Sequence, residues 1–476
     1  MKKSFLSFLI ILAAIQILVQ TFTSCANIIP PTGGPRDSMP PVLVSAIPAD
    51  STLNFKEKKI TLSFDEYVQL DNQAMQTQLV VSPMPEQTPI ITSHLKDVTI
   101  RLKDSLQPNT TYSIDFGNAL KDNNEGNPYR NFTYVFSTGN TIVNGELSGR
   151  VQLAEKGTSD STLIVILHKN LNDTAIKKLR PDYFTRLDSA GRFHFKYVAY
   201  GNYAVYVLPN DYTKKYDDST KTFAFLDQPV NISDSNITAP LMLYAYNEYQ
   251  PSESANSFGV PQSQSNTSNR KKAADTTIKY STSLEGGEQD LLSDLSIQFP
   301  QPLAQFDSSK ISLTDTNFIR IPGYKVFTNT AYTNFRIEYP WKEGEVFKLV
   351  IQKDAFVDST GKMLAKADTI RFETSAESSY GSIRLRFANL DLSRNPVMQF
   401  IQSDKVVDSV ALTGTEFYRR LYKPGDYQVR ILYDDDKNLT WTPGSFALKR
   451  QPEIVINVPR KINIKKNWDN EVNVNL

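Results

Sequence analysis

In segments spread along this chain apolar and polar residues alternate with a period of two, the spacing of a half-buried strand rather than of a helix face. Ile60-Thr-Leu-Ser-Phe64, Gly191-Arg-Phe193-His-Phe195 and Ile370-Arg-Phe372-Glu-Thr374 each predict one strand, and Leu163 to Leu167 reads as an apolar one. Three stretches break the pattern. Phe5 to Val19 is an apolar run interrupted only by Ser7 and Gln16, with Lys2 and Lys3 before it and Thr21-Phe22-Thr23-Ser24-Cys25 after it. Residues 26–41 carry five prolines and two glycines, which suit neither a helix nor a central strand and predict an extended tether. Residues 249–275 are rich in Ser, Asn and Gln and poor in large apolar residues, so they read as a linker dividing the chain into two halves.

The halves repeat each other. The interval from Phe64 to Tyr112 in the first equals that from Phe299 to Phe347 in the second. The longer intervals, Phe64 to Phe136 and Phe299 to Phe372, agree within a single position. Matching loops, Asp122 to Gly126 and Asp358 to Gly361, fall in the same order. A second kind of unit follows each time. Its mark is a glycine two positions before a tyrosine at a strand entry: Gly201-Asn-Tyr203 and Gly425-Asp-Tyr427. The expected architecture is all-β, in the order A–B–linker–A–B: residues 40–140, 141–248, 249–275, 276–378 and 379–476, behind a leader (1–24) and the tether (25–39).

Residues 40–140 resemble the bacterial Ig-like domain of S-layer-type envelope proteins. The likeness rests on Pro40-Pro41-Val42, Phe64-Asp65-Glu66, Leu106 to Tyr112, Asp122 to Gly126 and Phe136-Ser-Thr138. The copy at 276–378 departs from it, with Trp341 where a leucine is usual and Pro300 after Phe299. The B units resemble prealbumin-like or carboxypeptidase-regulatory β-sandwiches. The segment from Met1 to Cys25 resembles a bacterial lipoprotein signal of the type found in Bacteroidota. That resemblance implies cleavage between Ser24 and Cys25, diacylglycerol on the Cys25 thiol, an acyl chain such as palmitate on its amine, and residence in the outer membrane. Acids often follow the lipidated cysteine of surface-exported lipoproteins, whereas here the first acid is Asp37.

Composition narrows the chemistry. Cys25 is the only cysteine, so no intrachain disulfide forms and, once it is lipidated, no free thiol is left for catalysis. The 52 basic residues nearly balance the 51 acidic ones, which gives no electrostatic basis for binding nucleic acid. The three histidines, His94, His168 and His194, lack the spacing of a zinc site. Asp434, Asp436 and Asn438 have the i, i+2, i+4 spacing of a calcium loop, but Leu439 occupies the place of the required glycine and Ser445 that of the bidentate glutamate. These three are weak metal candidates, and a turn is the expected structure. Asp122 and Asp358 likewise read as turn residues. Tyr212, Tyr216, Tyr244, Tyr246 and Trp441 are the aromatics that could form a sugar-binding platform.

The function expected from this reading is non-catalytic. A lipid-anchored string of β-sandwiches would act as a scaffold or adaptor, with an outer-membrane β-barrel or a barrel assembly or export machine as partner and no cofactor besides the lipid. The alternative is a glycan-binding surface lipoprotein; an enzyme of unrecognised type comes last.

Overall fold

A computed structural model describes residues 36–234, 239–248 and 277–476. The leader, Cys25 and the 249–275 linker therefore lie outside the described residues. Strands dominate, and the described residues are nearly all β, with only the short helices Asn72–Gln78 and Ala175–Lys178 besides three 3-10 turns. Its contacts divide it into two compact units, one ending at Ile142 and one running from Val143 to the end, with Ser82–Met84 grouped with the second. The linker is thus not the main division; the boundary falls after the first sandwich, because residues 143–248 pack onto the end of the chain.

In the first unit one sheet has the order Leu43–Ile47, Lys59–Phe64, Asp97–Arg101, Ile90–His94, and the facing sheet has Val80–Ser82, Thr111–Asp115, Thr133–Ser137. Alternation in Lys59–Phe64 turns Ile60, Leu62 and Phe64 inward, where they meet Ile114, Tyr134 and Phe136. Residues 277–376 have the same plan. Ser281–Thr282, Leu295–Gln298, Asn334–Glu338 and Lys325–Thr328 form one sheet, and Ile311–Thr314, Val346–Ile351 and Asp368–Thr374 lie in the other. A parallel contact near the module start recurs as well: Thr52 bridges Phe136, and Glu288–Gln289 pairs with Glu373 and Thr374. Trp341 fits this core by packing edge-on against Phe347 and Phe372.

The remaining two sandwiches also match strand for strand. One sheet is Arg192–Val198, Gly145–Leu153, Leu241–Ala245 in the first and Glu416–Tyr422, Gly381–Ala388, Asp469–Asn475 in the second. In both, the last strand runs parallel to the first. The other sheet is Tyr183–Arg186, Leu163–His168, Gly201–Pro209, Ala224–Phe225, matched by Lys405–Ala411, Pro396–Gln402, Gly425–Tyr433, Ile454–Asn457. The glycines before the two tyrosines have the same special backbone, φ 151° at Gly201 and 152° at Gly425, a region that suits a residue without Cβ. The tyrosine two positions on turns inward and its hydroxyl donates back to the entering chain, Tyr203 to Ala199 O (2.7 Å) and Tyr427 to Lys423 O (3.1 Å).

Inside the second unit these two sandwiches clasp each other. Phe446, 5% exposed, enters a nest of Tyr206, Tyr216, Phe223 and Phe225 from the other sandwich. The Phe446 N–H donates to Glu248 (2.7 Å), which also accepts from the Tyr216 hydroxyl (2.5 Å). In return, the turn at 154–157 lies on the strand Ile454–Asn457: Val455 N–H donates to Ala154 O (3.0 Å), and the Asn457 amide donates to Lys156 O (2.7 Å). Gly157 makes this approach close, since a Cβ there would stand 2.8 Å from Val455 O. Arg430 donates to Glu155 O (3.0 Å), and Lys449 pairs with Asp173 (2.5 Å). The sandwich at 277–376 is held to its successor by Asp290, which accepts from the Tyr380 hydroxyl (2.6 Å) and pairs with Lys423.

Candidate functional site

Among the described residues a group of three close acids lies in the loop between Gly425–Tyr433 and Ile454–Asn457. Asp434 is 1% exposed, and its carboxylate accepts the N–H groups of Asn438 (3.0 Å) and Leu439 (2.8 Å). Asp436 accepts from Asn438 N–H (3.2 Å), the Asn438 side-chain amide (3.0 Å) and the Thr442 hydroxyl (2.7 Å). Asn438 in turn accepts from Thr440 N–H (2.7 Å). Leu439, standing where a calcium loop has glycine, takes φ 64°, and Lys437 takes 61°. A leucine in that region is unusual, and the bond from its N–H to Asp434 fixes it there.

The third acid is Glu453, which sequence spacing does not single out. Oxygens of Asp434, Asp436 and Glu453 lie within 4.8 Å of one another. Glu453 accepts Thr442 N–H (2.8 Å) and Asp436 N–H (3.3 Å), and its backbone carbonyl accepts the Trp441 indole N–H (2.8 Å). Burial raises the Glu453 pKa, and the charges of Asp436 and Asp434 raise it further. Glu453 stands just before the strand Ile454–Asn457, far from Asp436 along the sequence, so only the closing of the loop brings the two together. Ser445, at the position of the missing bidentate ligand, is instead in a separate turn, exchanging backbone hydrogen bonds with Arg450 (2.8 and 2.9 Å). The register of a twelve-residue calcium loop is therefore not adopted. The carboxylates are occupied by the loop's own donors and hold the base of the loop whose tip carries Phe446.

The other sequence candidates disperse. Tyr216 and Tyr246 are buried beside the clasp, and Trp441 packs on Val397, Leu432 and Val455. Of the five aromatics only Tyr212, 94% exposed, faces solvent fully. The set does not form a platform; aromatic residues at strand spacing went to the core and to the joint between sandwiches. His168 is buried against Tyr206, and burial pushes its pKa down. His194 lies 3.2 Å from Glu146, and His94 ends an edge strand. Asp122 accepts the N–H groups of Glu125, Gly126 and Asn127, and Asp358 those of Thr360 and Lys362, the geometry of tight turns. Two open clefts occur in residues 277–376. One of about 370 Å³ is lined by Arg320, Ile321 and Tyr324, and one of about 550 Å³ by Tyr280, Leu364 and Asp368. Neither draws two carboxylates together. Among the described residues no helix is long and apolar enough to cross a membrane.

Residues 37–138, about a fifth of the chain, match the model of the bacterial Ig-like domain. Among curated proteins, none matches the sequence. Solved structures with some likeness include the major pilin subunit BcpA of Bacillus cereus (11% identity, TM-score 0.17, covering 70% of this chain and 99% of that one). Others are the TIE protein of Bacillus anthracis (10%, 0.16, 93% and 75%) and the S-layer protein rSbsC(31-844) (10%, 0.16, 91% and 54%). Scores this low bear on neither module arrangement nor function. The first sandwich, residues 37–138, thus matches the bacterial Ig-like domain in sequence, within a nearly all-β set of tandem sandwiches.

Proposed function

We propose that this protein is a non-catalytic scaffold or adaptor of the bacterial envelope, anchored by lipid on Cys25. The observation that supports it best is the use of the 434–453 loop. The strongest cluster of chemical groups among the described residues is spent on folding the loop that plugs one sandwich into another. Asp290, Glu248 and Arg430 also serve joints between modules. Such a chain is suited to presenting surfaces at fixed spacing. The bacterial Ig-like domain is compatible with many roles, so the reading rests on how this chain uses its own charged groups. The partner expected is an outer-membrane β-barrel or a barrel assembly or export machine.

Extraction of the tagged protein in mild detergent and identification of co-purifying barrels test the reading. Recovery of the lipoprotein alone from several detergents counts against it. The anchor is tested separately: Cys25→Ser leaves an unacylated precursor that keeps residues 1–24, and an acylated mutant would sink the assignment.

A further inference from the structure

Residues 277–376 carry a sheet edge with an unusual border. Lys325–Thr328 pairs with Asn334–Glu338 on one side and ends the sheet on the other. An end strand offers unpaired N–H and C=O groups at alternate residues, and proteins commonly protect such edges with charge, proline or a covering segment. Here a single charge, exposed Lys325, guards the start of the strand, and the exposed side chain in mid-strand is Phe327. Beside the strand runs the 370 Å³ cleft, floored by Ile321, Tyr324 and Val326. The turn entering it exposes Phe318 (58%) and Ile319 (64%). That turn is fixed: Asp315 accepts the N–H groups of Asn317 (2.9 Å) and Ile319 (2.8 Å), and Phe318 takes φ 64°, which a bulky residue adopts only when held. Cations overlie the rings. Lys348 Nζ is 3.7 Å from the Phe318 centroid, and Arg320 lies 5.6 Å from that of Tyr324. Neither Lys348 nor Arg320 has a carboxylate partner among the described residues. Lys348 also donates to Thr316 O (2.8 Å), and the border is apolar with the cations Lys325, Arg320 and Lys348 set against the carboxylates of Asp315 and Glu338.

Resting on the adaptor reading, we propose that Lys325–Thr328 receives an extended acidic segment of a protein partner as an added strand. Main-chain hydrogen bonds to the open edge would supply pairing. Apolar side chains on one face of the added strand would meet Phe327, and the other face, over the cleft that Val326 lines, would bring carboxylates toward Arg320 and Lys348.

Random peptides displayed on phage, selected against the purified full-length protein, test this. The enriched peptides should be acidic, with apolar residues at alternate positions. Their affinity, read by fluorescence polarisation, should fall about tenfold or more in Arg320→Glu and in Phe327→Asp, and should weaken with salt. Both residues are exposed, so an unchanged melting temperature checks that the fold is kept. Amide exchange at 325–328 should slow on binding. Enrichment no greater than on the double variant Arg320→Glu/Phe327→Asp, or peptides that bind both single variants as well as the unaltered protein, overturns the proposal. So does sedimentation with phosphatidylglycerol–phosphatidylethanolamine vesicles that is lost in Phe318→Asp while no peptide is enriched. That result gives the patch to lipid. A barrel that co-purifies equally with the double variant removes this docking site and leaves the adaptor reading standing. Absence of any co-purifying barrel, with peptide binding intact, does the reverse.

Discussion

Asp434 illustrates how one side chain can carry a loop. Asp434→Ala removes the acceptor for two N–H groups at a buried site and should cost about 2–4 kcal/mol, read by urea unfolding. Calcium should not replace that bonding. Millimolar calcium or a chelator should move the melting temperature by about a degree at most, whereas tight binding at 1,000 times the dissociation constant would add roughly 4 kcal/mol. A calcium-dependent shift of many degrees, lost in Asp436→Ala, would make the loop a metal site. Glu453 gives the loop a pH signature. Its folded-state pKa is raised, so the folded protein holds this proton more tightly than the unfolded chain does. Its contribution is then greatest at low pH and declines as pH rises from the ordinary glutamate value through the raised one. The destabilisation caused by Glu453→Gln should be larger near pH 4.5 than at pH 8, and the opposite ordering would refute the assignment. Asp434, Asp436 and Asn438 are legible from spacing; Glu453 is not, since its approach depends on how the whole loop closes.

At the scale of elements, the strands are the most readable part. Period-two alternation places Ile60, Leu62 and Phe64 on one face, and the equal intervals from Phe64 and Phe299 correspond to strands in equivalent sheet positions. The glycine–tyrosine strand entry is also visible, because its special φ and its inward ring are local properties. Tyr203→Phe and Tyr427→Phe should each cost about 1 kcal/mol by removing the hydroxyl donated to the entering chain. The clasp is not visible. Phe446 sits in a loop where alternation gives no signal, and its nest of rings comes from a sandwich far back along the chain. In sequence those rings are indistinguishable from ordinary core aromatics or an exposed platform. Phe446→Ala should cost about 3–5 kcal/mol, the range for emptying a buried ring site. Its distinguishing mark should be faster amide exchange on both sides of the clasp, at 154–157 and 454–457. Loss of stability without that two-sided change would mean Phe446 stabilises only its own sandwich.

For the molecule as a whole, the clasp alters what cutting the chain would do. A protease site inserted in 249–275 should yield two pieces that still migrate together at neutral pH and separate in Phe446→Ala. Pieces that part from the unaltered chain would show the joint too weak to matter. The parallel pairing of first and last strands has a different consequence, for how the chain bears load. Gly145–Leu153 and Leu241–Ala245 run in the same direction side by side, as do Gly381–Ala388 and Asp469–Asn475. Tension applied across such a sandwich pulls the start of one strand against the end of its neighbour, so the ladder is sheared and its hydrogen bonds share the force. An adjacent antiparallel hairpin pulled from its open end would instead unzip one bond at a time. A pull applied to the two ends of the chain would thus meet its firmest resistance in these two sandwiches.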